Sequence, residues 1–313
     1  MNYVPLPDNA ARQVIDSTTI FVEFRRVKTQ ARAYAGSMYW KREGGYEYLV
    51  KTRPNRRTQE RLGARSDQTE QIFAEFAAHK EAVESRLKSL QITLTEAERM
   101  NKAVKAGRTP NLVVTVLNTL DEAGLSQHFT VVGTQALYAY ESAASVRVMP
   151  GALATQDVDL LWDARRRVQF MTDLEHLDSS MLRVLQRADS TFERKEGQNE
   201  TAINARGFEV DFLRRQPVEG DPHPLRFSAD EGDLWPVQAV RASVLTSAQR
   251  FEHAVISVSG RMALMRTIAP SSFVEFKHWM AEKAPRREQA KRRRDRLQAD
   301  IVQELLDQKL LAP

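Results

Sequence analysis

The 313-residue chain contains no cysteine, which excludes disulfides, thiolate metal sites and a thiol nucleophile. No apolar run approaches the roughly 18 residues that a membrane span requires. The N-terminus, MNYVPLPDNAARQ, lacks the basic-then-apolar order of a secretory signal. Together these features predict a cytoplasmic protein with no membrane partner. Histidine is sparse as well. None of the six lies close in sequence to Asp157 or Asp159, which counts against a metal-dependent hydrolase built on imidazole ligands.

What is present is the balance of an ordinary globular chain, 42% hydrophobic and 28% charged. The length suits about two domains with real cores. The net charge of +5 is unevenly spread. Lys41, Arg42, Lys51, Arg53, Arg56, Arg57, Arg61 and Arg65 face only Glu43, Glu47 and Glu60 in their stretch. A second basic cluster is PRREQAKRRRDR, residues 285–296. Each cluster reads either as a seat for a polyanion, nucleic acid or nucleotide phosphate, or as a solvated surface.

Residues 9–35 have a helical pattern. GSMYWKREGGYEYLVKT alternates aromatic and charged residues around Gly44-Gly45, as a hairpin does. TQERLGARS adds a third strand after a turn at Pro54-Asn55. From Asp67 to about Lys105 the pattern is helical again, with a second start expected where Thr95 and Glu98 form a capping box. GRTP, residues 107–110, marks the expected boundary of an N-terminal module, residues 1–108. Beyond it come a helix (NLVVTVLNTLDEAGL), a buried strand (FTVVG), a helix (TQALYAYESAA), a loop and the strand DVDLLW. Residues 164–188 read as helix. Strands turning at Gly197 and Gly207 end in FEVDFL, residues 216–236 read as loop, and VISVSGRMALMRT reads as a hairpin. This middle segment spans residues 109–269. Two helices, SSFVEFKHWMAEK and a long basic one, occupy residues 270–313, and Ser272 with Glu275 suggests a capping box for the first.

The strand TQDVDLLWD raises the chemical question. Asp157 and Asp159 stand two apart, so an extended chain sends both side chains to one face. A third acid, Asp211, sits between Val210 and Phe212 in FEVDFL. Three acids framed by bulky apolar residues would be costly to bury unpaired. A hard divalent cation such as Mg²⁺ or Mn²⁺ resolves the cost, because it accepts carboxylates and completes its shell with water and phosphate. The Gly133-Thr134 turn ahead of a helix offers backbone N–H groups and a hydroxyl to an anion.

In this order, VVGTQALYAYE, TQDVDLLWD and FEVDFL resemble the motifs of the nucleotidyltransferase superfamily, which includes DNA polymerase beta. SSFVEFKHWMA and KRRRDRLQADI are similar to C-terminal motifs of its bacterial abortive-infection branch and of other bacterial nucleotidyltransferase-fold proteins. The resemblance covers about residues 111–313, departing from the pattern at Thr134, where Gly or Ser is usual, and in a long loop before Asp157. It implies a nucleotidyltransferase-like mixed sheet flanked by helices, with the C-terminal helical region completing the nucleotide site. With the N-terminal helix-plus-hairpin module, which lies outside the resemblance, the expected fold class is α+β. It implies that Asp157, Asp159 and Asp211 hold metal, with Asp211 also acting on the attacking hydroxyl. Gly133, Thr134 and Lys277 would meet the phosphates of a nucleoside triphosphate. Arg147 and Arg214 are weaker candidates, and His278 reads as a packing or surface residue.

The expected reaction is transfer of NMP from an NTP to a hydroxyl of RNA, protein or a small molecule. Tyr39, Trp40, Tyr46 and Tyr48 among the cations of the 41–65 hairpin favour an RNA acceptor, although the same aromatics are what a hairpin packs onto a helix. The alternative is a nucleic-acid-binding protein that keeps the fold without turnover.

Overall fold

The computed structural model describes residues 2–53, 56–177, 179–216 and 226–312. The expected turn at Pro54-Asn55 and residues 217–225 of the expected loop 216–236 lie outside them. In chain order the elements are β1 (Tyr3–Pro5), α1 (Asp8–Ala33), β2 (Met38–Glu43), β3 (Tyr46–Arg53), β4 (Arg56–Ala64), α2 (Asp67–Ala103), α3 (Asn111–Glu122), β5 (Phe129–Val132), α4 (Leu137–Ala143), β6 (Val146–Val148) and β7 (Asp157–Trp162). They continue with α5 (Arg167–His176), α6 (Met181–Gln186), β8 (Glu193–Arg194), β9 (Thr201–Ile203), β10 (Glu209–Arg214), β11 (Val237–Gln238), α7 (Ala242–Ser247), β12 (Arg250–Ile256), β13 (Met262–Ile268), α8 (Pro270–Glu282) and α9 (Gln289–Asp307). The protein is α+β, and its compact units are residues 1–14 with 101–313, and residues 15–100.

The larger unit is built on a mixed sheet ordered β5-β7-β10-β9-β8, with β11 alongside β10. β7 and β10 run parallel, with Asp159 opposite Asp211, while β5 and β9 flank them antiparallel. Period-two alternation sorts the side chains. Val158, Leu160, Val210 and Phe212 are buried, whereas Asp157, Asp159, Glu209 and Asp211 are part-exposed. Phe129, Trp162, Phe170, Phe212 and Phe227 form an aromatic cluster, several pairs edge-on, with neighbouring ring centres 5.1–6.0 Å apart. These rings supply the apolar area that outweighs the cost of carrying acids on the same two strands. α3 turns Val113, Val114, Val116, Leu117 and Leu120 into the core, as its 3.6-residue periodicity requires. The hairpin β12–β13 pairs in register from Arg250–Ile268 to Ile256–Met262. β1, unforeseen in the sequence, pairs with the equally short β6.

The smaller unit carries the meander β2-β3-β4 and most of the two long helices. Gly44 and Gly45 both take positive φ, +57° and +84°, the backbone that a two-residue hairpin turn needs. Two sequence expectations fail here and in α8. α2 passes through the proposed second start without a break. Thr95 Oγ1 donates instead to the Gln91 carbonyl at 2.8 Å, the bond an in-helix hydroxyl makes to the preceding turn. α8 begins at Pro270, not after Ser272, with no side-chain cap. Proline's fixed φ and missing N–H suit the first helical position. The expected helix over 164–188 is also divided, into α5 and α6.

Candidate functional site

The site begins with a turn. β5 ends at Val132, and Gly133 takes φ +71° before a short 3₁₀ turn leads into α4. A Cβ added at Gly133 would stand 2.3 Å from Asp159 Oδ2, far inside van der Waals contact. Glycine therefore serves twice here, by accepting left-handed backbone and by letting a carboxylate oxygen lie against the main chain.

A cleft of about 310 Å³ opens beside this turn. One side of it presents Gly133, Thr134, Asp157 and Asp159, and α8 presents Lys277. Arg287, Lys291 and Arg294 add positive charge, while Leu213, Val240, Leu245, Phe276 and Met280 give an apolar wall. The sequence-predicted residues on β5, β7 and α8 are thus brought together. Asp211 is not among the residues lining this cleft. It lies one strand over, opposite Asp159 in register, and its Oδ1 accepts from Thr201 Oγ1 at 2.6 Å.

Electrostatics bind the acids into one system. Burial, then the charges of Asp157 and Asp211, push the Asp159 carboxyl up to about 7, against the opposing pull of Lys277 and Arg287. Asp211 is also raised, first by burial; Thr201 lowers it, and Asp157, Glu209 and Glu200 raise it further. Asp157 accepts from the Thr155 hydroxyl, and Gln135 Nε2 donates to the Asp157 carbonyl at 2.8 Å.

The cationic side is held from behind. Lys277 is buried, and its Nζ donates to Asp295 Oδ1 at 2.9 Å; Arg287 donates to the other oxygen of Asp295 at 2.9 and 2.7 Å. Asp295 itself is fully buried. Burial pulls the Lys277 ammonium below its ordinary range, partly offset by Asp295 and then Asp159. Lys291, Arg294, Asp295 and Gln298 recur at helical spacing along α9, so the signal for this face was present in KRRRDRLQADI. Arg287 precedes α9 and carried no such signal.

Other predicted residues have structural partners. Arg147 donates to Glu141 at 3.0 Å and to the Lys105 and Ala106 carbonyls. Arg214 is buried and donates to the Pro236 carbonyl at 2.9 Å. Within the 285–296 cluster, Arg292 donates to the Ala281 and Ala284 carbonyls at the end of α8, where a cation offsets the helix dipole.

The fit to a divalent cation follows from the donor set. Among the described residues no three His, Asp or Glu side chains gather around one point. Asp157 and Asp159 are a pair of hard oxygen donors, and their mutual repulsion is what a cation would relieve. Two carboxylates suit a Mg²⁺ ion that takes its remaining ligands from water and phosphate. Among the described residues, no helix is long and apolar enough to cross a membrane. Residues 111–313 match a protein-family model described as nucleotidyltransferase. No curated protein and no solved structure matches the chain.

Proposed function

This chain belongs to the nucleotidyltransferase family, and from that premise we propose a divalent-metal-dependent enzyme that moves NMP from an NTP to a hydroxyl acceptor. The observation that carries the reading is the cleft itself: a carboxylate pair against a glycine turn, with a buried lysine, further cations and an apolar wall lining the same space. Asp157 and Asp159 would hold Mg²⁺ or Mn²⁺, which when bound neutralises the triphosphate and polarises the reacting phosphoryl group. Lys277 and Arg287, both hydrogen-bonded to Asp295, would meet the triphosphate. Gly133 and Thr134 would lie along its phosphates, and Leu245, Phe276 and Met280 would take the base.

In this mechanism the acceptor oxygen attacks the α-phosphorus, the bond to the β-phosphate oxygen breaks, and pyrophosphate leaves. The proton of the attacking hydroxyl passes to Asp211, whose raised affinity for protons suits a base. RNA is the acceptor we favour, since cations and aromatics alternate in the 41–65 hairpin. Membership of the bacterial abortive-infection branch is part of the same proposal, supported by the C-terminal lysine and basic helix. A binding protein without turnover would have no use for a carboxylate pair this costly to bury.

The test is label transfer. Full-length protein is incubated with each α-³²P-labelled NTP, Mg²⁺ or Mn²⁺, and total RNA or lysate, and the labelled product is isolated. We expect label in a defined acceptor, lost in D157N and D159N. Transfer that survives either substitution would end the assignment.

A further inference from the structure

Gln298 on α9 is fully buried, with an amide that serves two acceptors. Its Nε2 donates to the Ala152 carbonyl at 2.6 Å and to Thr134 Oγ1 at 3.1 Å. A carbonyl can only accept, so the atom facing Ala152 must be the nitrogen, and this fixes the amide's orientation. The same NH₂ group cannot accept. The Thr134 oxygen must therefore be the acceptor in the second bond, and its own O–H proton is turned away from Gln298.

Thr134 lines the cleft and Gln298 does not. The other end of the amide, Oε1, is buried and finds no partner among the described residues. An unmatched buried carbonyl oxygen is a cost that an apolar residue of the same size would avoid, so the amide's contribution lies in its donor end. The hydroxyl of Thr134 has one proton to give, and donates it to no described residue.

We propose that Gln298 is a positioning residue that holds the Thr134 hydroxyl as a donor to a phosphate oxygen of the nucleotide. The inference rests on the nucleotidyltransferase reading and deepens it by assigning a task to the threonine that stands where glycine or serine is usual. Gln298 touches no reacting atom. It acts only through Thr134, and the effect of removing it must vanish when the hydroxyl is already gone.

That dependence is the test. Binding of ATP, GTP, CTP, UTP and inorganic tripolyphosphate with Mg²⁺ is measured calorimetrically for wild type, Q298M, T134V, T134S and Q298M/T134V. Thermal melts confirm that each variant is folded. Q298M, close to glutamine in volume, should weaken both the best NTP and tripolyphosphate by roughly 3- to 10-fold, the range of one lost donor to a charged group seen through its support. T134V should weaken them at least as much, T134S should bind like wild type, and the double variant should match T134V alone. Independent, multiplying effects of the two substitutions would overturn the proposal, as would Q298M binding like wild type. T134S, if it loses affinity while Q298M keeps it, also counts against. Wild type that binds no NTP and no tripolyphosphate would remove the functional reading along with the inference. Wild type that binds while Q298M is neutral would remove the inference alone.

Discussion

Asp159 is the residue on which the site's electrostatics converge. Its carboxyl is raised to about 7 by burial, Asp157 and Asp211, whereas an unfolded aspartate releases its proton near 4. The folded state therefore binds the extra proton between those values. The contribution of this group is fully favourable below about pH 4 and is lost as pH rises through about 7. In metal-free protein, D159N should melt several degrees above wild type at pH 8, reflecting on the order of 2–4 kcal/mol. The two melting curves should converge toward pH 4, and added Mg²⁺ should raise the melting temperature of wild type only. G133A tests the same corner from the other side. It combines unfavourable φ with a clash against Asp159 Oδ2, and should abolish transfer and lower the melting temperature. At this scale the sequence was informative. The Asp-x-Asp spacing fixed a shared face, and the glycine before a helix marked the turn. The Thr201 bond that ties Asp211 down could not be read, because it depends on the register of β9 against β10.

At the level of elements, α8 and α9 form a buttress around one buried carboxylate. Asp295 balances two cations, Lys277 and Arg287. Removing the anion leaves the buried Lys277 without its partner, and D295A should cost about 3–5 kcal/mol, visible as a large drop in the melting temperature. K277M removes one cation and leaves Arg287 to pair Asp295, so its stability loss should be smaller while its NTP binding falls. Both helices were legible from apolar periodicity and basic composition. Their beginnings were not. Ser272 and Glu275 have the letters of a capping box, yet Pro270 sits in its favoured first position and takes the start. Thr95 and Glu98 repeat the lesson inside α2, where the same spacing falls in the middle of an unbroken helix. The partnership of Lys277 with Asp295 spans a turn between two helices, and only their packing reveals it.

For the whole molecule, the basic stretch 41–65 looks different once its pairings are known. Glu43 meets Lys41 and Arg61, and Arg65 bridges Glu47 and Glu70. The Arg61 guanidinium lies 3.8 Å from the Tyr48 ring centre and that of Arg65 5.0 Å from Trp40. Composition counted eight cations against three anions, but could not count Glu70, which arrives from α2. The charge left for a polyanion is therefore smaller than the sequence suggests. Replacing Arg42 and Lys51 with Ser should weaken RNA binding and flatten its salt dependence by about one unit of slope per lost phosphate contact. NTP binding should not change. Unaltered RNA affinity across a salt series would rule out the hairpin as the acceptor's seat.

The larger unit is discontinuous, residues 1–14 and then 101–313. β1 pairs with β6, and Gln13 Nε2 donates to Asn101 Oδ1 at 3.0 Å. The two ends of the gap in this unit thus lie side by side, and residues 15–100 have the topology of a guest inserted into a host. Closing a loop of such length costs little more than closing a short one, so the host does not need the guest to bring its own ends together. Splicing the chain just after Gln13 to just before Asn101 through a short flexible turn should yield a folded protein that still binds NTP. What it would lose is whatever the guest confers, and comparing acceptors labelled by the spliced and full-length forms would separate the chemistry of transfer from the choice of its target.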